Sequence, residues 1–364
     1  MRLSVTFIQA FVALTLASPV IEPRQGIDTS LVNIAPTPTS ASIPIGPTAD
    51  STTYNLTKAT ESATASPLPV GTDPVSRRHV LPRQTACQPL PTGAGPIPTP
   101  DTDSSFVGYD NFSTAATQAT TPSNYTSTFV NLHARSDSYG YLGFDTVATY
   151  DTQDCATQCS SVWRGCQGFN IFFERDPSVQ PGPNCRDPPS TTNIKCVYWG
   201  GDVSTETASN DGQYIGDFHV VIAGSNGYMK TAIPTIPGYD GEATGNSTID
   251  APDSDTGESS TGPGRGTYIG SKIFTNTYFD PALCAAACDA QNQNNLAHPP
   301  GRGRPQICRF FTTYLLYKNG DPVGQYCALY TQYYSRSFAT NSGTRSGGNT
   351  LAVRHAFSYK NNKV

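Results

Sequence analysis

The sequence predicts an α+β protein: two small disulfide-stapled modules, each with one helix packed on an antiparallel sheet, behind a disordered N-terminal region. Three observations predict it. The same cysteine landmarks recur twice in the same order, aromatic and β-prone runs follow each Cys-x-x-x-Cys, and the first third of the 364 residues is dominated by Ser, Thr, Pro and Ala. Such a third cannot bury enough apolar surface to offset its chain entropy.

Taken from the N-terminus, Arg2 supplies a positive start and Val5 to Ala17 is largely apolar, ending in small residues at Thr15-Leu16-Ala17. Residues 1–17 are therefore expected to be a signal peptide, leading to a secreted, extracellular or cell-wall location. The stretch is too short to span a bilayer, which takes roughly 20 apolar residues. No later stretch is apolar enough either, and the closing Lys360-Asn361-Asn362-Lys363-Val364 carries no lipid-anchor pattern. Residues 18–78 read as a disordered pro-region that ends in the dibasic pair Arg77-Arg78, a processing site that would start the mature chain near His79. Residues 79–105 form a Pro-rich arm carrying Cys87. Four Asn-x-Ser/Thr sequons, at Asn55, Asn111, Asn124 and Asn246, lie in polar or Gly-rich sequence suited to glycosylation of exposed loops.

The internal repeat organises the remainder. The first copy (residues 106–232) holds Cys155, Cys159, Cys166 and Cys196, and the second (268–364) holds Cys284, Cys288, Cys308 and Cys327. Each opens with Tyr-x-Gly, at Tyr141 to Gly143 and Tyr268 to Gly270. Each tail keeps its spacing: Cys196 to Asn210 and Cys327 to Asn341 are both 14 positions, and Asn210 to Tyr228 and Asn341 to Tyr359 are both 18. Between the copies, residues 233–267 are rich in Gly, Ser, Thr, Pro and Asp and read as a linker.

Cys-x-x-x-Cys places two thiols on one face of a helix. Asp151 is expected to cap the first helix, and Asp280, followed by Pro281, the second. Strands are expected around Phe169 to Phe173, Lys195 to Trp199 and Phe218 to Ala223, and around Phe311 to Tyr317, Tyr326 to Tyr330 and Leu351 to Phe357. Ten cysteines in an exported chain are expected to be fully oxidised.

On these cysteine spacings and this order of elements, residues 141–228 and 268–359 resemble the PAN/apple module. The resemblance implies a helix on a curved antiparallel sheet, with the first helical cysteine joined to a strand and the second to a cysteine just past the helix. It implies the pairs Cys155–Cys196 and Cys159–Cys166, then Cys284–Cys327 and Cys288–Cys308. Cys87 and Cys185 are left, and are expected to pair and pin the arm. The second copy departs from the family in lacking an outer terminal pair and in its insert between Asn292 and Gln306. The chain also resembles secreted fungal proteins with a processed pro-region. The resemblance implies glycan or extracellular protein ligands.

No cofactor and no metal is expected. The histidines His79, His133, His219, His298 and His355 show no metal-ligand spacing, and the cysteines lie in an oxidising setting. The formal charge of −5 argues against a nucleic-acid partner. Arg302 and Arg304 beside His298 read as a solvated loop. Asp202, Glu206, Asp211 and Asp217 in the first copy have no acidic counterparts in the second, so a shared pair for glycoside hydrolysis is not expected. If Cys196 faces the helix, alternation sends Tyr198 inward and Val197 and Trp199 to the opposite face; in the second copy Leu329 goes inward and Ala328 and Tyr330 outward. Trp199 and Tyr330, with Tyr333 and Tyr334, are the candidate ligand-stacking residues. The function expected is noncatalytic extracellular binding of a glycan or protein. A structural glycoprotein of the cell wall or surface coat is the alternative, and a carbohydrate-active enzyme the third option.

Overall fold

The computed structural model describes residues 27–38, 43–46, 48, 50–65, 85–251, 266–301 and 303–364. The expected signal peptide, Arg77, Arg78 and Arg302 lie outside them. The described residues form an α+β, mostly sheet, structure of two sheet-rich bodies, with every strand pairing antiparallel and five disulfides. No helix among them is long and apolar enough to cross a membrane.

The first body contains β2 (Tyr125–Leu132), β4 (Tyr141–Val147), β5 (Gly168–Pro177), β6 (Ser190–Trp199), β8 (Gly212–Ile215) and β9 (Phe218–Lys230), with β3 (Arg135–Ser136) and β7 (Ala208–Asn210) pairing as a separate short ladder. The second contains β10 (Tyr239–Gly245), β11 (Tyr268–Phe274), β12 (Phe310–Lys318), β13 (Asp321–Tyr330), β14 (Gly343–Ser346) and β15 (Asn349–Asn361). Apart from one extra short edge strand on β4 in the first, their strand orders correspond: β4-β6-β5-β9-β2 in the first and β11-β13-β12-β15-β10 in the second, with β8 on β9 and β14 on β15. The repeated sequence landmarks acquire physical causes here. In both Tyr-x-Gly motifs the ladder slips by one residue, and Gly143 (φ 150°) and Gly270 (φ 133°) adopt a backbone that side chains disfavour. In both Asn-x-Gly motifs the asparagine Oδ1 accepts from the glycine N–H, at 3.1 Å for Asn210 and Gly212 and 2.9 Å for Asn341 and Gly343. The ring pair Phe169–Tyr228 recurs as Phe311–Tyr359, each stacked at 5.0 Å.

The helices α5 (Thr152–Ser161) and α6 (Pro281–Ala297) carry the Cys-x-x-x-Cys pairs. Asp151 caps α5 by accepting from the Gln153 and Asp154 amides, and Asp280 caps α6 by accepting from Ala282. The pairs are Cys155–Cys196, Cys159–Cys166, Cys284–Cys327, Cys288–Cys308 and Cys87–Cys185. The last ties the Pro-rich arm to the first body, where the Gly95 N–H also donates to the Thr192 carbonyl at 3.0 Å.

Three expectations are corrected. One helix per body is too few: α3 (Asp103–Val107) and α4 (Asp110–Gln118) also pack on the first body, placing Phe106 and Phe112 in its core, with Phe112 stacked on Phe173 at 4.2 Å. The 233–267 linker contains β10, which pairs with β15 as the edge strand of the second sheet. Its glycines give it a loop-like composition, yet a Cβ at Gly241 would meet the Tyr359 ring at 2.6 Å, so the strand requires glycine there. Residues 27–65, expected to be disordered, include α1 (Thr29–Ile34), β1 (Asp50–Ser51) and α2 (Leu56–Thr64). Ile27, Leu31, Val32, Ile43, Ala59 and Ala63 are all buried against the bodies.

The two bodies share an interface. The Tyr139 hydroxyl donates to the Phe274 carbonyl at 3.0 Å, the Phe279 amide donates to the Gly200 carbonyl at 2.7 Å, and Arg354 lies 3.8 Å from Asp202. A Cβ at Gly200 would sit 2.3 Å from the Tyr278 Cβ, so only glycine permits this approach.

Candidate functional site

Alternation places the candidate aromatic residues on the sheet faces as expected. Cys196 and Tyr198 join the core beneath α5, while Val197 and Trp199 join a second core on the opposite face. Cys327 and Leu329 lie under α6, and Ala328 and Tyr330 lie on the other side.

Exposure does not follow. Trp199 is 0% exposed, covered by Tyr141, Val203, Met229 and Ile43. Tyr330 and Tyr334 are 2% and 3% exposed, packed with Phe310 and Tyr268. These three are core residues, not the ligand contacts expected of them. The reason is that each sheet is clad on both faces, and the second cladding comes from loops and from the N-terminal segment.

Tyr333 differs from the other three. It is 49% exposed and stands edge-on to buried Phe310, with ring centroids 5.4 Å apart. The Lys360 ammonium is 6.0 Å from its ring centroid. Phe338, also exposed, stands edge-on to Tyr334 at 5.5 Å. The loop from Thr331 to Phe338 thus carries two exposed rings on a bed of buried ones, Phe310, Tyr330 and Tyr334. An exposed ring fixed from below loses little freedom when it stacks on a flat ligand. Sequence reasoning missed Phe338, which lies at the end of a one-turn 3-10 segment (Arg336–Phe338) with no strand or helix period to mark it.

The acidic candidates are engaged elsewhere. Burial pushes the Asp202 carboxyl up, its Oδ2 accepts from the Ser204 hydroxyl at 2.9 Å, and Arg354 of the other body faces it. Glu206 is exposed, and its carboxyl is held down by backbone and Ser204 hydrogen bonds. Asp217 pairs with Arg186 at 3.4 Å on the surface, and Asp211 is exposed. Asp202 therefore serves as a joint between the bodies. A second buried polar cluster was not anticipated: Lys195 contacts Glu174, while Asp176 accepts from the Asn193 amide at 2.6 Å and from the Gly46 N–H at 3.1 Å. Burial, then the Glu174 charge, push the Asp176 carboxyl well up.

The four sequon asparagines are all exposed, Asn55 as the N-cap of α2. His298 and Arg304 are exposed loop residues. The described residues contain no cluster of three or more His, Cys, Asp or Glu able to hold a metal. No family model, no curated protein and no solved structure matches the chain.

Proposed function

We propose that the chain is a noncatalytic, secreted glycan-binding protein of two PAN/apple-like modules, and that its ligand surface is the Tyr333–Phe338 loop of the second. The supporting observation is Tyr333 itself, a half-exposed ring set edge-on to Phe310 with the Lys360 ammonium beside it. An exposed flat ring offers a sugar its apolar face, and the neighbouring cation and tyrosyl hydroxyl offer hydrogen-bond partners at the rim. The repeated pattern of a capped helix, with its first cysteine bonded to a strand and its second to a cysteine beyond the helix, supports the module likeness. Full oxidation of ten cysteines and four exposed sequons supports an extracellular glycoprotein.

The test is binding of the secreted protein to a panel of insoluble polysaccharides and arrayed glycans, beside a Tyr333→Ala variant of matched melting temperature. The expected result is capture by at least one glycan class, weakened tenfold or more in the variant. Equal capture by both proteins removes the site. Absence of capture across the panel removes the glycan reading and turns the search to extracellular protein ligands.

A further inference from the structure

The segment from Ile27 to Ala65 precedes the first cysteine, Cys87, so no disulfide ties it to the rest of the chain. It nevertheless engages both bodies at four places. On the second body, Ile27, Leu31 and Val32 of α1 and its approach are buried with Tyr314, Tyr326 and Ala328 on the sheet face away from α6. The Asp28 N–H donates to the Tyr326 hydroxyl at 3.1 Å, and the space beneath is about 10 Å³, room for one water at most. On the first body, Ile43 packs with Phe144, Phe172 and Trp199, while the Lys195 ammonium donates to the Pro44 carbonyl at 3.1 Å. At the edge of the first sheet, β1 pairs with β4, and the Tyr54 hydroxyl donates to the Tyr141 carbonyl at 2.9 Å.

The fourth contact is the most directional. On α2, Ala59 and Ala63 are buried against the core of α6, and Lys272 of β11 reaches under the helix C-terminus. Its ammonium donates to the carbonyls of Ser62, Ala63 and Ala65 at 2.6, 2.9 and 2.7 Å. A buried cation at a helix C-terminus satisfies carbonyls that have no partner within the helix and complements the dipole there. Lys272 and Lys195, one in each body, thus both donate to the main chain of this segment.

We infer that residues 27–65 are a clamp which remains bound to residues 85–364 without a covalent link, so that processing yields a two-chain protein rather than a chain stripped of its pro-region. The cut is provided by the dibasic pair Arg77-Arg78, which lies outside the described residues. A protease adds water across the amide after Arg78, leaving a carboxylate there and an amine on His79. The partner of these sheet faces and this helix on the two bodies is therefore this chain's own N-terminal segment. Release would strip three carbonyl acceptors from Lys272 and expose the stacked Tyr314–Tyr326 pair.

The test cuts the secreted full-length chain with a dibasic-specific endoprotease. Non-reducing denaturing electrophoresis then resolves two chains, while gel filtration at micromolar concentration and native mass spectrometry are expected to show one complex. Two variants challenge the contacts: Lys272→Met on the body, and Ala59→Glu on the clamp, which leaves residues 85–364 unaltered. Each is expected to weaken retention of the fragment tenfold or more. Failure of the protease to cut, separation of the wild-type fragment at once under native conditions, or wild-type retention in both variants would each overturn the inference.

Discussion

Substituting Trp199 by alanine separates a core residue from a ligand contact. The indole is fully buried, and a tryptophan removes about 150–250 Å² from water. At about 25 cal/mol per Å² its loss corresponds to an upper figure of about 4–6 kcal/mol. Against this, the Trp199 Nε1 finds no acceptor among the described residues, and removing it relieves a desolvation penalty of about 1–3 kcal/mol. The cavity left among Tyr141, Val203 and Met229 adds to the loss, so Trp199→Ala is expected to destabilise by about 3–5 kcal/mol. For a unit of this size that is a drop in melting temperature of about 6–20 °C. Tyr333→Ala, at a half-exposed site, is expected to change stability by less than about 1 kcal/mol. Calorimetry and near-ultraviolet circular dichroism of both variants provide the comparison. If Trp199→Ala melts within 2 °C of wild type while Tyr333→Ala falls further, the two-faced burial described for the first sheet is wrong.

Three further outcomes follow from other contacts. Removing Cys155–Cys196, which spans 41 residues, is expected to lower stability by about 4 kcal/mol, and removing Cys159–Cys166, which spans 7, by about 2.5 kcal/mol; equal shifts in denaturant midpoint would contradict the chain-entropy ordering. Burial brings His355 down to about 4, below its unfolded value of 6.5, so its contribution is complete above pH 6.5 and declines as pH falls toward 4. That decline amounts to up to about 3 kcal/mol, and His355→Asn, which tolerates the left-handed φ of 50°, should flatten wild-type acid sensitivity in pH-dependent melts. Gly200→Ala drives a methyl into Tyr278 and is expected to lower stability by about 1–3 kcal/mol and to speed hydrogen exchange at the Phe279 amide, which bonds Gly200; unchanged exchange would remove that contact from the interface.

The parts of this fold that were legible are those written in local spacing. Two cysteines four residues apart declare a helix face, Asp151 and Asp280 declare its start, and alternation around Cys196 and Cys327 assigns each neighbour to the correct side of its sheet. What covers the far side is not local. Trp199 is sealed in part by Ile43, which lies 156 positions upstream in a segment of low apolar content. The helix α2 fully buries only alanines, and its stripe of Leu56, Ala59 and Ala63 is short and small-volumed within a Ser/Thr-rich segment. The strand β10 is masked by its glycines, of which Gly241 is demanded by the neighbouring Tyr359 ring. His355 hides another correspondence: it occupies the left-handed position that Gly224 fills in the first copy, with φ of 50° and 57°.

The divergence of the two copies is sharpest just past β6 and β13. With the 131-position offset between Cys196 and Cys327, Gly200, Gly201 and Asp202 correspond to Thr331, Gln332 and Tyr333. In the first copy this loop seals the joint: Gly200 admits Tyr278, a Cβ at Gly201 would meet the Tyr139 carbonyl at 2.6 Å and Leu315 at 3.1 Å, and Asp202 faces Arg354. In the second copy the position of Asp202 is taken by the half-exposed ring of Tyr333. At the opposite end, Phe173, the first-copy counterpart of the interface residue Leu315, is covered by Phe112 of α4. The tandem pair is therefore capped at its leading end and joined through its middle, and it leaves its trailing loop outward. That asymmetry, produced by glycines at one loop and aromatics at its twin, is the physical reason for placing the proposed ligand surface on the second body alone.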